Sequence, residues 1–272
     1  MIKEILRQQI LDMSGDRCVG ILYLNDLDSF SLGCSADLSS KQVTLHVFTL
    51  NGAPSRYVES SCAIAQKMRW QIVVHDVDTS NFFEQIRSLF ASINLRSKTE
   101  VAMFYLAFAL LPRISGDLTL CPFGLDILCG LTSSFGSLHR SNEQQFLDLR
   151  RTLLERSEIS ENCIALQSSA GQILFAPYAQ SQVLIGHFLE KDWRTLNMTK
   201  DFSRVQLKAA VRRAFHSQIS SAGTIETHSD AFKSTGLNSL ISEVVRNKSI
   251  NFKQRRNLSE ILIDWRLKRT SP

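Results

Sequence analysis

The 272-residue sequence predicts an α/β protein: a doubly wound parallel sheet followed by a mainly helical C-terminal part. Three observations carry that expectation. Strand-like apolar runs alternate with amphipathic helical stretches through roughly the first 130 residues, the order that builds parallel sheets. The strand runs are short, continuous and β-branched, as expected of strands covered on both faces. Past residue 140 helical spacing takes over, so residues 1–140 are expected to form an α/β core, with 141–272 a helical part packed on it.

The elements follow in order. Ile2, Ile5, Leu6, Ile10 and Met13 recur at helical spacing, and Ser14-Gly15 ends that helix. Val19 to Leu24 is the first strand, and Phe30 to Ala36 lies in the next helix. Val43 to Leu50 is the second strand, stopped by Asn51-Gly52. Tyr57 to Arg69 is an amphipathic helix with Val58, Cys62, Ala65 and Met68 on its apolar face, and Gln71 to Val77 is the third strand. Helices are expected over Asn81 to Ile93 and Thr99 to Leu111, and a short strand over Asp117 to Cys121, before the turn Pro122-Phe123-Gly124-Leu125-Asp126. Further helices are expected at Asn142 to Arg156, Ala179 to Glu190, Arg204 to Phe215, Leu237 to Arg246 and Leu258 to Lys268. Ser217 to Ser234 is polar and rich in small residues, which predicts a surface loop.

Composition narrows the function classes. From Leu240 to Pro272 eight basic residues oppose three acidic ones, so this segment holds the whole formal net charge of +5. A basic segment of that kind is either a solvated helix face or an anionic-partner site, and nucleic acid is the less favoured partner. The six cysteines form no C-x-x-C pair and no zinc-like cluster with histidine, which fits a reducing, cytoplasmic setting. The N-terminus lacks a signal-peptide layout, and the longest apolar run, Val101 to Pro112, is too short to span a bilayer.

The most informative stretch runs from Val19 to Ser29. A buried strand enters a tight polar turn and then a helix, which is how α/β proteins build anion sites. Asn25 and Asp26 stand where glycines would admit a phosphate. Asn and Asp tolerate left-handed backbone, so the turn itself survives. A carboxylate about 4 Å from a phosphate charge, however, costs about 4 kcal/mol at an effective dielectric near 20, roughly a thousandfold in affinity.

Four stretches, in order, resemble the synthetase domain of the asparagine synthetase family, among the N-type ATP pyrophosphatases. Val19 to Phe30 follows V-G-[VI]-L-L-S-G-G-x-D-S-S, with Asp28 and Ser29 on its D-S and Leu24, Asn25 and Asp26 in place of Ser-Gly-Gly. From Tyr57, the residues Tyr57, Glu59, Ser60 and Ala63 match Y-D-E-S-x-x-A. Leu120 to Leu131 follows L-S-G-[ED]-G-x-D-E-L-F-G-G at Gly124, Asp126, Leu128 and Gly130, with Phe123 and Ile127 at acidic positions. Phe175 to Gln180 resembles R-x-P-F-L-D. Arg204 opens a match to K-x-x-L-R-x-A at the family's catalytic lysine.

The resemblance implies an ATP pyrophosphatase-like sheet and an ancestor that formed amides by adenylating a carboxylate with ATP and Mg²⁺. It implies Asp28 and Asp126 as metal ligands, Asn25, Asp26, Asp28, Ser29 and Gly124 around the nucleotide, and Arg204 as the catalytic cation. Asp28 and Asp126 have a second reading, as a helix cap and a turn residue. No glutaminase segment with an N-terminal cysteine nucleophile is expected, so nitrogen would come from ammonia or the substrate. The replaced loop residues point to a divergent member with altered or lost activity. The alternative is a non-catalytic binding module or a partner of an active synthetase.

Overall fold

The computed structural model describes residues 1–95, 98–114, 118–129, 148, 151, 158–189, 206–225 and 227–246. Five parallel strands form one sheet: β1 (Val19–Leu22), β2 (Val43–Leu50), β3 (Gln71–Val77), β4 (Leu118–Leu120) and β5 (Ile173–Phe175), in the spatial order β3-β2-β1-β4-β5. The chain builds outward from β1 to β2 to β3, then returns to lay β4 on the other side of β1. That reversal makes the gap between β1 and β4 the topological switch point, where open α/β sheets place ligands.

Helix α1 (Ile2–Ser14) precedes β1, with α2 (Leu27–Leu38) and α3 (Arg56–Met68) crossing from β1 to β2 and from β2 to β3. Helices α4 (Phe82–Ser92) and α5 (Lys98–Leu110) lead back to β4, followed by α6 (Leu125–Leu128) and α7 (Glu158–Ala170). Right-handed crossovers put α2 and α3 on one face, and the α4–α5 pair and α7 on the other. The sheet is therefore doubly wound, as its alternating sequence predicts. After β5 come α8 (Pro177–Gln180), α9 (Gln182–Leu189), α10 (Gln206–Ala214), α11 (His216–Ala222), α12 (His228–Ser234) and α13 (Leu237–Arg246).

β2 and β3 fall on the predicted bounds, and Asn51 and Gly52 both take positive φ to end β2. Other expectations need correction. The first strand stops at Leu22, because Tyr23 and Leu24 already belong to the buried turn. On α3 Ala65 is buried and Val58 and Met68 pack against the core as expected, but Cys62 is exposed, and Tyr57, Ser61 and Ile64 complete the buried face. Ile173–Phe175 is a fifth strand within the segment read as helical. Ala179 to Glu190 is two helices, broken at Ser181. The expected loop from 217 to 234 holds α11 and α12, and Thr227 with Asp230 forms a capping box on α12. Of the helix expected at Asn142 to Arg156 only Asp148 and Arg151 are described, both helical, and the helix expected at Leu258 to Lys268 and the basic run past Arg246 lie outside the described residues.

Candidate functional site

The loop after β1 closes on itself. Tyr23 N–H extends the parallel ladder to the His46 carbonyl, and Asn25 then turns the chain at φ 54, the left-handed conformation its residue type permits. Asp26 is the N-cap of α2. Its Oδ1 accepts from the Ser29 backbone N–H at 2.9 Å and from the Ser29 hydroxyl at 2.6 Å. Ser29 Oγ in turn accepts from the backbone N–H groups of Leu24 at 3.2 Å and Asp26 at 3.4 Å. Asn25, Asp26 and Ser29 are all buried. The cap is therefore Asp26, not Asp28, and its carboxylate faces its own helix rather than a bound anion.

Asp28, two residues into α2, belongs to a second cluster. The Lys208 ammonium, from α10, lies 2.9 Å from Asp28 Oδ1 and 2.6 Å from Asp126 Oδ1. Asp28 follows β1 and Asp126 follows β4, so the lysine bridges the carboxyl ends of the two strands at the switch point. The Asp28 side chain is 7% exposed, that of Lys208 27% and that of Asp126 36%, so the cluster is dry at one end and open at the other. Burial pushes the Asp28 carboxyl above the usual carboxylate range and the Asp26 charge adds to that, against the pull of Lys208. Burial alone would lower the Lys208 pKa, but the two carboxylates more than reverse it and hold the ammonium charged.

The four sequence stretches meet around this point. Tyr57 OH donates to the Tyr23 carbonyl. Tyr178, on α8, shares a 2.5 Å hydrogen bond with Ser31 and donates to the Asp28 carbonyl at 3.3 Å. Gly124, at φ 107, caps α6 and packs so closely on Tyr178 and Ala179 that a Cβ would sit 3.1–3.2 Å from them. Gln180, at the family's acidic position, accepts from Ala176 N–H at 2.6 Å. Phe123 is buried edge-on against Phe104, with ring centroids 5.2 Å apart, and serves the core.

Arg204 lies outside the described residues. Among the described residues the cation in contact with both carboxylates is Lys208, one helical turn later. It stands at the arginine of K-x-x-L-R-x-A, so the same motif held the signal.

Neither Mg²⁺ nor the ATP phosphates fit these residues as they stand. Mg²⁺ takes oxygen ligands at about 2.1 Å and cannot share two carboxylates with an ammonium already in contact with both. Among the described residues no group of three or more His, Cys, Asp or Glu side chains is arranged to hold a metal. Three loop N–H groups, those of Leu24, Asp26 and Ser29, are already hydrogen-bonded within the loop. A cavity of about 510 Å³ lined by Arg56, Asp230, Lys233 and Ser234 lies between α3 and α12 and includes none of the expected site residues.

The histidine pair is internal. His46 Nδ1 and His75 Nε2 are 2.9 Å apart, and His46 Nε2 lies over Gly20, where a Cβ would come within 2.8 Å. Burial, then the neighbouring imidazole, lowers the His46 pKa to about 4; burial, then Arg113, lowers that of His75.

No protein-family model matches the chain, and no curated protein matches it significantly. Among solved structures it is similar to the NMN synthetase from Francisella tularensis, at 11% identity and a TM-score of 0.34, over 83% of this chain and 94% of that one. A likeness of that degree says nothing of chemistry. No helix among the described residues is long and apolar enough to cross a membrane.

Proposed function

We propose that this protein is a divergent, non-catalytic relative of the ATP pyrophosphatase-type ligases, the asparagine synthetase family among them. On this reading it acts as a binding module or as the partner of an active enzyme. One observation carries the reading: Asp26 and Ser29 take up the backbone N–H groups of Leu24, Asp26 and Ser29, which a pyrophosphate would need. Anion loops work because such N–H groups are unpaired and aimed at the ligand. Here a phosphate would have to displace a charge-assisted cap and then sit beside the displaced carboxylate. Phe123 supports the same reading, since a buried phenyl ring neither takes up a proton nor holds an ammonium substrate.

Calorimetric titration with ATP and Mg²⁺ tests it. The expected result is no heat of binding at millimolar nucleotide and no pyrophosphate release with any carboxylate. Micromolar binding that disappears in Asp28→Ala would sink the proposal.

A second reading is a divergent ATP-dependent amide ligase that adenylates a carboxylate substrate. It is favoured by the meeting of Asp28, Asp126 and a lysine at the switch point, since these are residue types such chemistry uses. It requires Lys208 to leave the carboxylates before nucleotide enters, and it predicts the opposite titration result.

A further inference from the structure

We propose that Lys208 is a built-in cation: its ammonium permanently occupies the position between Asp28 and Asp126 that a divalent metal would otherwise take. The inference shares the non-catalytic reading's view of the switch point, but it rests on different atoms and stands or falls on metal alone.

The geometry is that of a filled site. One nitrogen contacts an oxygen from each of two carboxylates, at 2.9 and 2.6 Å, and these carboxylates follow adjacent strands. Asp28 is buried, and an ionised carboxylate there needs a cation beside it. A free divalent ion would supply that charge at the expense of losing part of its hydration shell. A lysine on α10 supplies it from within the fold, so its contact is intramolecular and does not depend on the metal concentration. α10 also packs against α1, which fixes the base of the lysine stem.

The substitution has a chemical consequence. An ammonium has three donors, two of which face these carboxylates, so it leaves one for an incoming phosphate where a divalent ion would offer several open coordination positions. Tyr178, hydrogen-bonded to Ser31 and to the Asp28 carbonyl, braces the α2 side of the site. Removing only the Lys208 charge should then leave a preformed pair of oxygen ligands with room for a cation.

The probe is Mn²⁺ alone, followed by loss of the free-ion electron paramagnetic resonance signal. The wild-type chain should leave millimolar Mn²⁺ free. Lys208→Ala and Lys208→Gln should each bind one equivalent at least roughly tenfold more tightly than wild type. Adding Asp126→Asn to either variant should abolish that binding.

One equivalent bound by wild type as tightly as by the variants would overturn the proposal. So would folded variants that bind no more Mn²⁺ than wild type. If neither variant folds in metal-free buffer, refolding with Mn²⁺ should restore a cooperative melt, and failure to do so also overturns it. ATP binding by the wild-type chain in metal-free buffer would defeat the non-catalytic reading and leave this metal result untouched.

Discussion

Replacing Ser29 by alanine isolates the interaction that closes the loop. The Ser29 hydroxyl accepts from two backbone N–H groups, Leu24 at 3.2 Å and Asp26 at 3.4 Å, and donates to Asp26 Oδ1 at 2.6 Å. All of this lies in buried surroundings, so water cannot replace it. An orphaned buried donor costs about 1–3 kcal/mol, and both bonds here are long, so about 1 kcal/mol each is the reasonable share. The lost charge-assisted bond to Asp26 adds about 1 kcal/mol, and the better helix propensity of alanine returns a few tenths. Ser29→Ala should therefore destabilise the fold by about 2–3 kcal/mol, a fall in Tm of roughly 4–10 °C for a chain of this size.

The assay is urea unfolding at equilibrium, with Ser35→Ala as the control. Ser35 is equally buried, but its hydroxyl only donates back to the Ser31 carbonyl, at 2.7 Å within the same helix. Its loss should cost less than about 1 kcal/mol. Equal midpoints for the two variants, with equal m-values, would refute the account of the loop as a self-satisfied unit.

Two further outcomes concern packing and protonation. His46 titrates near 4 when folded and near its ordinary 6.5 when unfolded, so the unfolded chain takes up the proton first. The stability it confers is complete above pH 6.5 and falls by about 3 kcal/mol as pH drops to 4; His46→Gln should flatten that part of the wild-type stability curve, and parallel curves would count against the assignment. Gly33→Ala should destabilise by about 1–2 kcal/mol despite improved helix propensity, because the overpacking outweighs it. The new Cβ would lie 2.7 Å from the Trp70 ring, which already packs on Phe30 with centroids 5.7 Å apart, and an unchanged unfolding midpoint would show that the indole can move aside.

The strands β2 and β3 were legible in the sequence because each is long and β-branched, and β2 stops at a positive-φ pair. β5 was not, because three apolar residues carry no period and only pairing with β4 makes them a strand. Helices α11 and α12 read as loop for a related reason: each has seven residues, mostly small or polar, and packing against α3 rather than propensity makes them helical.

The site divides along the same physical line. Asp28 and Asp126 were legible as a pair because each follows a strand in a local motif. Asp26 was legible as a carboxylate but not in its role. A capping box with serine at the third position reverses the usual Ser/Thr-then-Glu order, so a local pattern gave no warning that the acid would turn inward. Lys208 was the hardest to place, since its partner Asp126 lies 82 residues earlier and no periodicity links a helix in one part of a chain to a strand end in another. What joins them is electrostatic: two acids brought together by β1 and β4 repel one another in a half-buried crevice, and a cation between them offsets that repulsion. An ionisable pair created by topology thus demands a partner that topology must also supply. In such a fold the uncompensated charge at the switch point is a guide to a hidden site residue that a family motif alone does not give.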